Sequence, residues 1–160
     1  MTAIALQQHE EKLEKWIWLG LFIPLVISSG GNSGTQTATL VITALSRGHI
    51  TLSDWLTIVK RELVMGIVLG LGLGLMGYLS TLLFEDVNTL SAHALVIPIT
   101  LLLVVMSGTM TGAILPLLFE KLGLDPAMMS NPFVAGIIDI VGIVIYMNVA
   151  LWIMGNPISS

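Results

Sequence analysis

Apolar residues dominate four stretches of the chain, roughly Trp16 to Leu45, Leu63 to Phe84, Ala92 to Phe119 and Asn131 to Met154. Each exceeds the roughly 20 residues a helix needs to cross about 30 Å of hydrocarbon, so each is predicted to be a membrane-spanning helix. The connecting segments SRGHITLSDW, EDVNTLS and EKLGLDPAMMS are polar and short. Such links predict successive helices that run antiparallel and lie side by side. Residues 1–15, MTAIALQQHEEKLEK, form an amphipathic juxtamembrane or interfacial segment; three glutamates against two lysines is the wrong charge pattern for a secretory signal. The expected fold class is all-α, a polytopic transmembrane bundle spanning residues 16–160 behind that short segment.

Two interruptions break the apolar pattern. The first is SSGGNSGTQT, residues 28–37, inside the first span. If residues 28–39 are helical, Asn32 and Gln36 lie one turn apart beside Thr35, Thr39 and Thr43, and Gly30 and Gly34 permit close helix contact. If Gly30 and Gly31 break the helix, the freed carbonyls need protein or water, as in the discontinuous helices of transporters. Both readings turn the segment away from lipid, toward an interior path or a contact between helices or subunits.

The second interruption is Asp139, eight residues beyond Asn131 in the fourth span. That distance puts it about 12 Å below the expected helix start, within hydrocarbon depth. A carboxylate there costs about 2.5 kcal/mol or more, so it faces a partner, a cavity or an ion. Asn131, Ala135, Asp139 and Ile143 recur every four residues, flanked by Gly136 and Gly142. A hydrogen-bonded carboxyl that joins two helices is the alternative.

The remaining unusual residues read as structural. GIVLGLGLGLMG matches a dinucleotide fingerprint at Gly72, Gly74 and Gly77, but it lies inside an apolar span with no strand before it. Gly66, Gly70 and Gly74 instead recur every four residues and make a ridge for close helix approach, and Gly108 and Gly112 suggest the same role in the third span. Pro24, Pro98 and Pro116 can bend their helices. The nine methionines share no face with histidine or cysteine and fill gaps, and His9, His49 and His93 take solvated positions.

Composition supports the membrane setting: 55% of the residues are apolar and 10% charged, against about 25% charged in soluble domains. A net charge of −4 without a basic patch excludes nucleic acid as a partner, and the lack of cysteine excludes thiolate metal sites. Arg47, Lys60, Arg61 and Lys121 gather in or beside the first and third loops, around residues 46–60 and 120–130, which are therefore expected to be cytoplasmic in an inner or cell membrane. Both termini then lie outside, and a further span before residue 1 would explain the missing signal peptide. No lysine, arginine or histidine is expected within the membrane to neutralise Asp139, so the path favours a cation. Its oxygen donors suit magnesium, calcium or manganese better than copper or zinc. One aspartate per chain is thin for a divalent ion, and a symmetric dimer would supply two.

The segments PLVISSGGNSGTQTATLVITAL, Pro24 to Leu45, and GLDPAMMSNPFVAGIIDIVGIVIY, Gly123 to Tyr146, resemble the membrane domain of the MgtE family of magnesium channels. The similarity covers nearly the whole chain after about residue 9. It implies a homodimer with an Mg2+ pore along the subunit interface, lined by the first and fourth spans. The pore carboxylate carries over onto Asp139, the cytoplasm-proximal asparagine onto Asn131, and a position contributing through its backbone onto Ala135. Gly31, Asn32, Gly34 and Gln36 match the glycine-rich pore helix. The resemblance also implies that magnesium keeps most of its water shell. Cytosolic N-terminal and CBS domains, a connecting helix and one further span precede the matching region in the family and are absent from this sequence, which suggests a fragment or a short form without their gating. Ile138 stands where the family commonly has serine.

The expected partners are thus a second copy of the chain, membrane lipid and divalent cations, with Mg2+ the transported ion. No nucleophile and base pair or phosphate loop occurs in a context that would support an enzyme. Two rivals remain: a proton- or sodium-coupled transporter of a small solute, with Asp139 binding the coupling ion, and a non-conducting scaffold subunit whose polar residues serve only packing.

Overall fold

The computed structural model describes residues 17–84 and 92–154; the amphipathic segment 1–15 with His9, and the link around residues 85–91, lie outside the described residues. Four long helices make up the described chain: α1 (Ile17–Ser46), α2 (Trp55–Phe84), α3 (Val96–Lys121) and α4 (Pro126–Met154). Short 3-10 turns at Leu52–Asp54 and Ala92–Leu95 lead into α2 and α3. Three segments, Leu52–Thr81, Val96–Lys121 and Pro126–Ile153, are long and apolar enough to cross a membrane. They correspond to α2, α3 and α4, and the protein is all-α and multi-pass. The equally long α1 carries the polar run 28–37 and does not join them.

Two loops are shorter than the hydropathy pattern predicts. The hydropathy pattern starts the second span at Leu63, yet α2 begins at Trp55, so Lys60 and Arg61 are helical and the link from α1 shrinks to 47–54. The Asp54 carboxylate accepts the backbone N–H of Thr51 at 2.8 Å and its hydroxyl at 2.9 Å, which holds the chain as it enters the helix. Similarly, α4 begins at Pro126 rather than Asn131. Gly123, at φ +72, closes α3 while the Leu124 N–H reaches the Phe119 carbonyl. Asp125 then accepts the Ala127 N–H at 2.8 Å and Pro126 occupies the first helical turn. Asp139 consequently lies about 20 Å along α4, near its middle, deeper than the 12 Å expected.

The side-by-side arrangement expected for α1 and α2 is corrected by the packing: these two helices scarcely touch, and α3 lies between them. Small residues explain why α3 takes the centre. On one side, Gly108 and Gly112 meet the backbone of α1, where a Cβ would collide with the carbonyl oxygens of Gly30 and Gly34. On the other, Gly66 packs on Met106 and Thr109, Gly70 on Leu102 and Gly74 on Pro98. The glycine ridges therefore act in packing, with α3 parallel to α1 and antiparallel to α2. α4 completes a three-helix core with α1 and α3, built around Val26, Ile97, Leu101, Val104, Val134, Ile138 and Tyr146.

α2 is the outlying helix. Its buried positions are Ile58, Glu62, Gly66, Gly70, Gly74, Gly77 and Thr81, a single narrow stripe. Beyond the charged Lys60 and Arg61, much of its remaining surface, including Val64, Val68, Leu71, Leu75 and Leu79, is exposed and apolar, as suits a lipid-facing helix. Val41, Ile58, Ala113 and Leu117 pack together with Leu45 and Ile50 where α1 and α3 end and α2 begins. The 47–54 and 122–125 links thus share one end of the bundle, the end that carries Arg47, Lys60, Arg61 and Lys121.

Candidate functional site

Residues 28–39 are helical throughout, so the glycine pair Gly30 and Gly31 does not break α1. Close packing accounts for this, because Gly30 sits against Val104 and Ile138, and Gly34 against Val134 and Gly108. The helix keeps its carbonyls bonded internally and uses its missing side chains for contact. Gly34, one of the residues matched to the pore helix, is buried on this packing side.

The opposite side of α1 is polar and open. Ser28, Asn32, Gln36, Thr39 and Thr43 are exposed, with Gly31 and Thr35 half-buried. Each threonine hydroxyl here donates back to its own helix: Thr35 to the Gly31 carbonyl at 2.9 Å, Thr39 to that of Thr35 at 2.8 Å and Thr43 to that of Thr39 at 2.7 Å. The Asn32 amide donates to the Ser28 hydroxyl at 3.1 Å. With the hydroxyl hydrogens spent inward, the outward lone pairs are acceptors. Such a surface suits a cation or its water shell.

α4 brings its own polar residues to this side. Asp139 is half-buried beside Gly31, whose position would put a Cβ 3.8 Å from the Asp139 Oδ1 atom. The absence of a side chain at Gly31 is what leaves the carboxylate uncovered. Nearer the basic end, Asn131 joins Thr35, Gln36, Thr39 and Leu40 around an open pocket of about 520 Å³. Among the described residues the Asn131 Oδ1 atom is buried without a hydrogen-bond partner. A buried amide oxygen costs roughly 1–3 kcal/mol when unsatisfied, a cost that rotation of the side chain toward water in the pocket would relieve. Ala135 is half-buried between Asn131 and Asp139. The expected stripe ends there: Ile143 is 1% exposed and belongs to the core, because steps of four residues drift about 40° each around a helix of 3.6 residues per turn.

The structure therefore gathers Gly31 with Asp139, and Gln36 with Asn131, along one exposed polar seam between α1 and α4. Asn32 lies exposed on the same side of α1. Among the described residues no group of three or more His, Cys, Asp or Glu side chains could hold a metal ion. The seam is thus a row of neutral oxygens with one carboxylate, unlike the dense cage that binds a stripped ion. Ile138, directly before Asp139, is fully buried against Gly30 and contributes to packing.

One carboxylate escaped the sequence pattern. Glu62 is 7% exposed and accepts the Thr37 hydroxyl at 3.1 Å through Oε2. Asp139 is therefore not alone among the acidic residues of the apolar helices. Glu62 follows Lys60 and Arg61 directly and reads as loop chemistry in sequence. Continuing the four-residue period backward from Gly66 would have found it.

The MgtE family model, described as a divalent cation transporter, matches residues 23–149, which include the whole seam. A magnesium transporter MgtE of Thermus thermophilus is 39% identical over 153 residues, covering 94% of this chain and 32% of its own length. Proteins of the same name from Bacillus subtilis and Enterococcus faecalis are 30% and 28% identical, covering 88% and 96% of the chain. The chain spans about a third of the length of these curated relatives, 32%, 31% and 33% respectively. With 127 residues from α1 to α4 matched in one continuous run, positions 23 to 149, this chain belongs to the MgtE family of divalent cation transporters.

Proposed function

We propose that the chain conducts Mg2+ across a cell membrane, in bacteria the inner membrane, through a pathway formed where two copies meet along the α1–α4 seam. The observation that carries this reading is the half-buried Asp139 carboxylate beside the bare backbone of Gly31, with no hydrogen bond or ion pair among the described residues. A carboxylate at mid-helix depth needs compensation, and a passing cation supplies it. A twofold axis along the seam would set two such carboxylates across the path. Their mutual repulsion is relieved when a cation lies between them.

Magnesium gives up its water reluctantly and needs near-octahedral ligands at about 2.0–2.1 Å. The seam's amides, hydroxyls and single carboxylate fit the hydrated ion, held through its water by Asp139, the Asn131 side chain and backbone near Ala135, all three residues half-buried along α4. Asn32, Gln36 and the outward hydroxyls of Thr35, Thr39 and Thr43 continue the acceptor row toward the basic end, with the 47–54 and 122–125 links on the cytoplasmic side. The names of the relatives point to the same ion.

Purified protein in liposomes holding a magnesium-sensitive dye tests the reading. Asp139→Ala is expected to lower Mg2+ influx about 100-fold or more, since a unit charge about 5 Å from a divalent ion contributes roughly 6–7 kcal/mol at an effective dielectric constant near 20, part of it offset by desolvation. Its elution as a dimer should not change. Influx that persists in Asp139→Ala, or that requires an imposed proton gradient, overturns the proposal. Adding manganese, cobalt or calcium against magnesium ranks the ions.

A further inference from the structure

Glu62 has no place in the cation path, yet its burial is costly and its contact is specific. α1 and α2 scarcely touch, because α3 separates them. The hydrogen bond from Thr37 to Glu62 crosses between them at 3.1 Å, with both residues buried at 5% and 7% exposure. The other carboxylate oxygen, Oε1, lies 4.0 Å from the Arg61 Nε atom, and the Arg61 side chain is 76% exposed, so that pairing is long and solvent-screened. A carboxylate taken out of water and held by one neutral donor is a poor source of net stability. Its geometric effect is better defined.

Thr37 lies two residues from both Thr35 and Thr39, which at 100° per residue places it about 160° around the helix from each. Drawing Thr37 toward α2 therefore turns Thr35 and Thr39 outward, onto the polar seam. Close glycine contacts at Gly30 and Gly34, with the buried Phe22, Val26, Ala38 and Val41, seat α1 against α3 and α4. The Thr37 hydrogen bond adds a directional tie to α2 at the level of the seam. We infer that Glu62 is a positioning residue for the seam: by accepting the Thr37 hydroxyl, it fixes the rotation of α1 that presents Thr35, Gln36 and Thr39 to the path.

The effect on transport rests on the conducting role proposed above; the orientation itself does not. The chain has no cysteine, so Thr39→Cys supplies a single reporter on the seam. In liposomes, its reaction rate with a charged, water-soluble methanethiosulfonate is measured in the parent and in Glu62→Leu, Glu62→Gln, Thr37→Val, Thr37→Ser and the Glu62→Leu/Thr37→Val double background. Mg2+ influx is measured for the same substitutions with Thr39 intact. Glu62→Leu and Thr37→Val each remove the hydrogen bond and are expected to lower both rates about tenfold, and the double variant no further. Glu62→Gln keeps an acceptor oxygen without the charge and should stay within about twofold of the parent. Thr37→Ser keeps the donor and should restore both readings.

Unchanged labelling in Glu62→Leu overturns the inference. So does an equal fall in Glu62→Gln, which would make charge, and not acceptor geometry, the determinant. If Glu62→Leu yields no folded protein, the contrast between Thr37→Val and Thr37→Ser decides in the same way. A parent protein that labels normally but carries no Mg2+ would defeat the proposed transport while leaving the labelling contrast to judge Glu62.

Discussion

Gly30 and Gly34, on the side of α1 turned toward α3 and the α4 core, leave no room for a Cβ: at Gly34 it would lie 2.7 Å from Val134 Cγ1 and 2.9 Å from the Gly108 carbonyl oxygen. Gly31, on the side turned to Asp139, has ordinary space, with its nearest neighbour at 3.8 Å. The carboxylates divide likewise. Glu62 is buried on the inner side with a hydroxyl donor, whereas Asp139 is half-buried beside the outer seam. Identical residue types on one helix thus serve two different tasks. Inside, they remove bulk so that backbones meet; outside, they remove cover so that a charge meets water.

The strongest way to break this contrast is to add bulk inside. A Cβ at Gly112 would collide with the Gly34 carbonyl oxygen and come within 3.1 Å of the Ala38 nitrogen, both backbone atoms that cannot rotate away. Gly112→Val is therefore expected to cost at least the roughly 1–3 kcal/mol typical of overpacking and to abolish the monodisperse folded protein on size-exclusion chromatography. Gly136→Ala is the matched control, since that position is exposed with nothing within 4 Å. Helix propensity alone should make it neutral or stabilising by about 1 kcal/mol. A Gly112→Val protein with the parent's thermal midpoint would remove the distinction between the two sides.

Adding bulk outside should spare the fold and harm transport. Gly31→Val has room for its Cβ, but its methyl groups would cover the Asp139 carboxylate and displace water from it. Mg2+ influx is expected to fall about tenfold, the effect of roughly 1.4 kcal/mol lost at the carboxylate, with little change in thermal midpoint. A variant that loses its fold as Gly112→Val does would show that Gly31 belongs to the packing side after all.

Asp139 was legible in sequence because a single charge interrupts an apolar run, and the cost of placing it there forces a reason. The glycine ridges were legible because period four marks a helix face. Glu62 was hidden by its neighbours: Lys60 and Arg61 moved the apparent span boundary to Leu63, although α2 starts at Trp55. Adjacent charges obscure a buried one because hydropathy averages over faces that the helix separates. Neighbouring helices in sequence also failed to become neighbours in space. The 47–54 link imposes an antiparallel return, but side-chain size decides contact, and α3 offers glycine to α1 and receives glycine from α2. Whether 28–37 bends or continues was undecidable from the run itself, because the deciding residues, Val104, Gly108, Val134 and Ile138, lie on other helices.

The finest separation of the two sides compares two threonines of α1. Thr37 gives its hydroxyl hydrogen to Glu62, a partner on another helix, while Thr39 gives its own to the Thr35 carbonyl one turn back. The Thr39 carbonyl partner is already bonded within the helix, so losing the hydroxyl leaves no buried group unsatisfied. Valine matches threonine in shape and branching, which keeps the helix cost of the exchange small. Thr39→Val should therefore leave the thermal midpoint unchanged and lower Mg2+ influx only about twofold, because one outward acceptor among several is lost from the water-bridged row. Initial influx rates at saturating and at limiting magnesium separate the cases. A loss confined to limiting magnesium marks weaker capture of the hydrated ion, which is the outcome expected for an acceptor at the mouth of the seam. An unchanged rate at both concentrations would place Thr39 outside the path and move the boundary of the outer side one turn back, to Thr35.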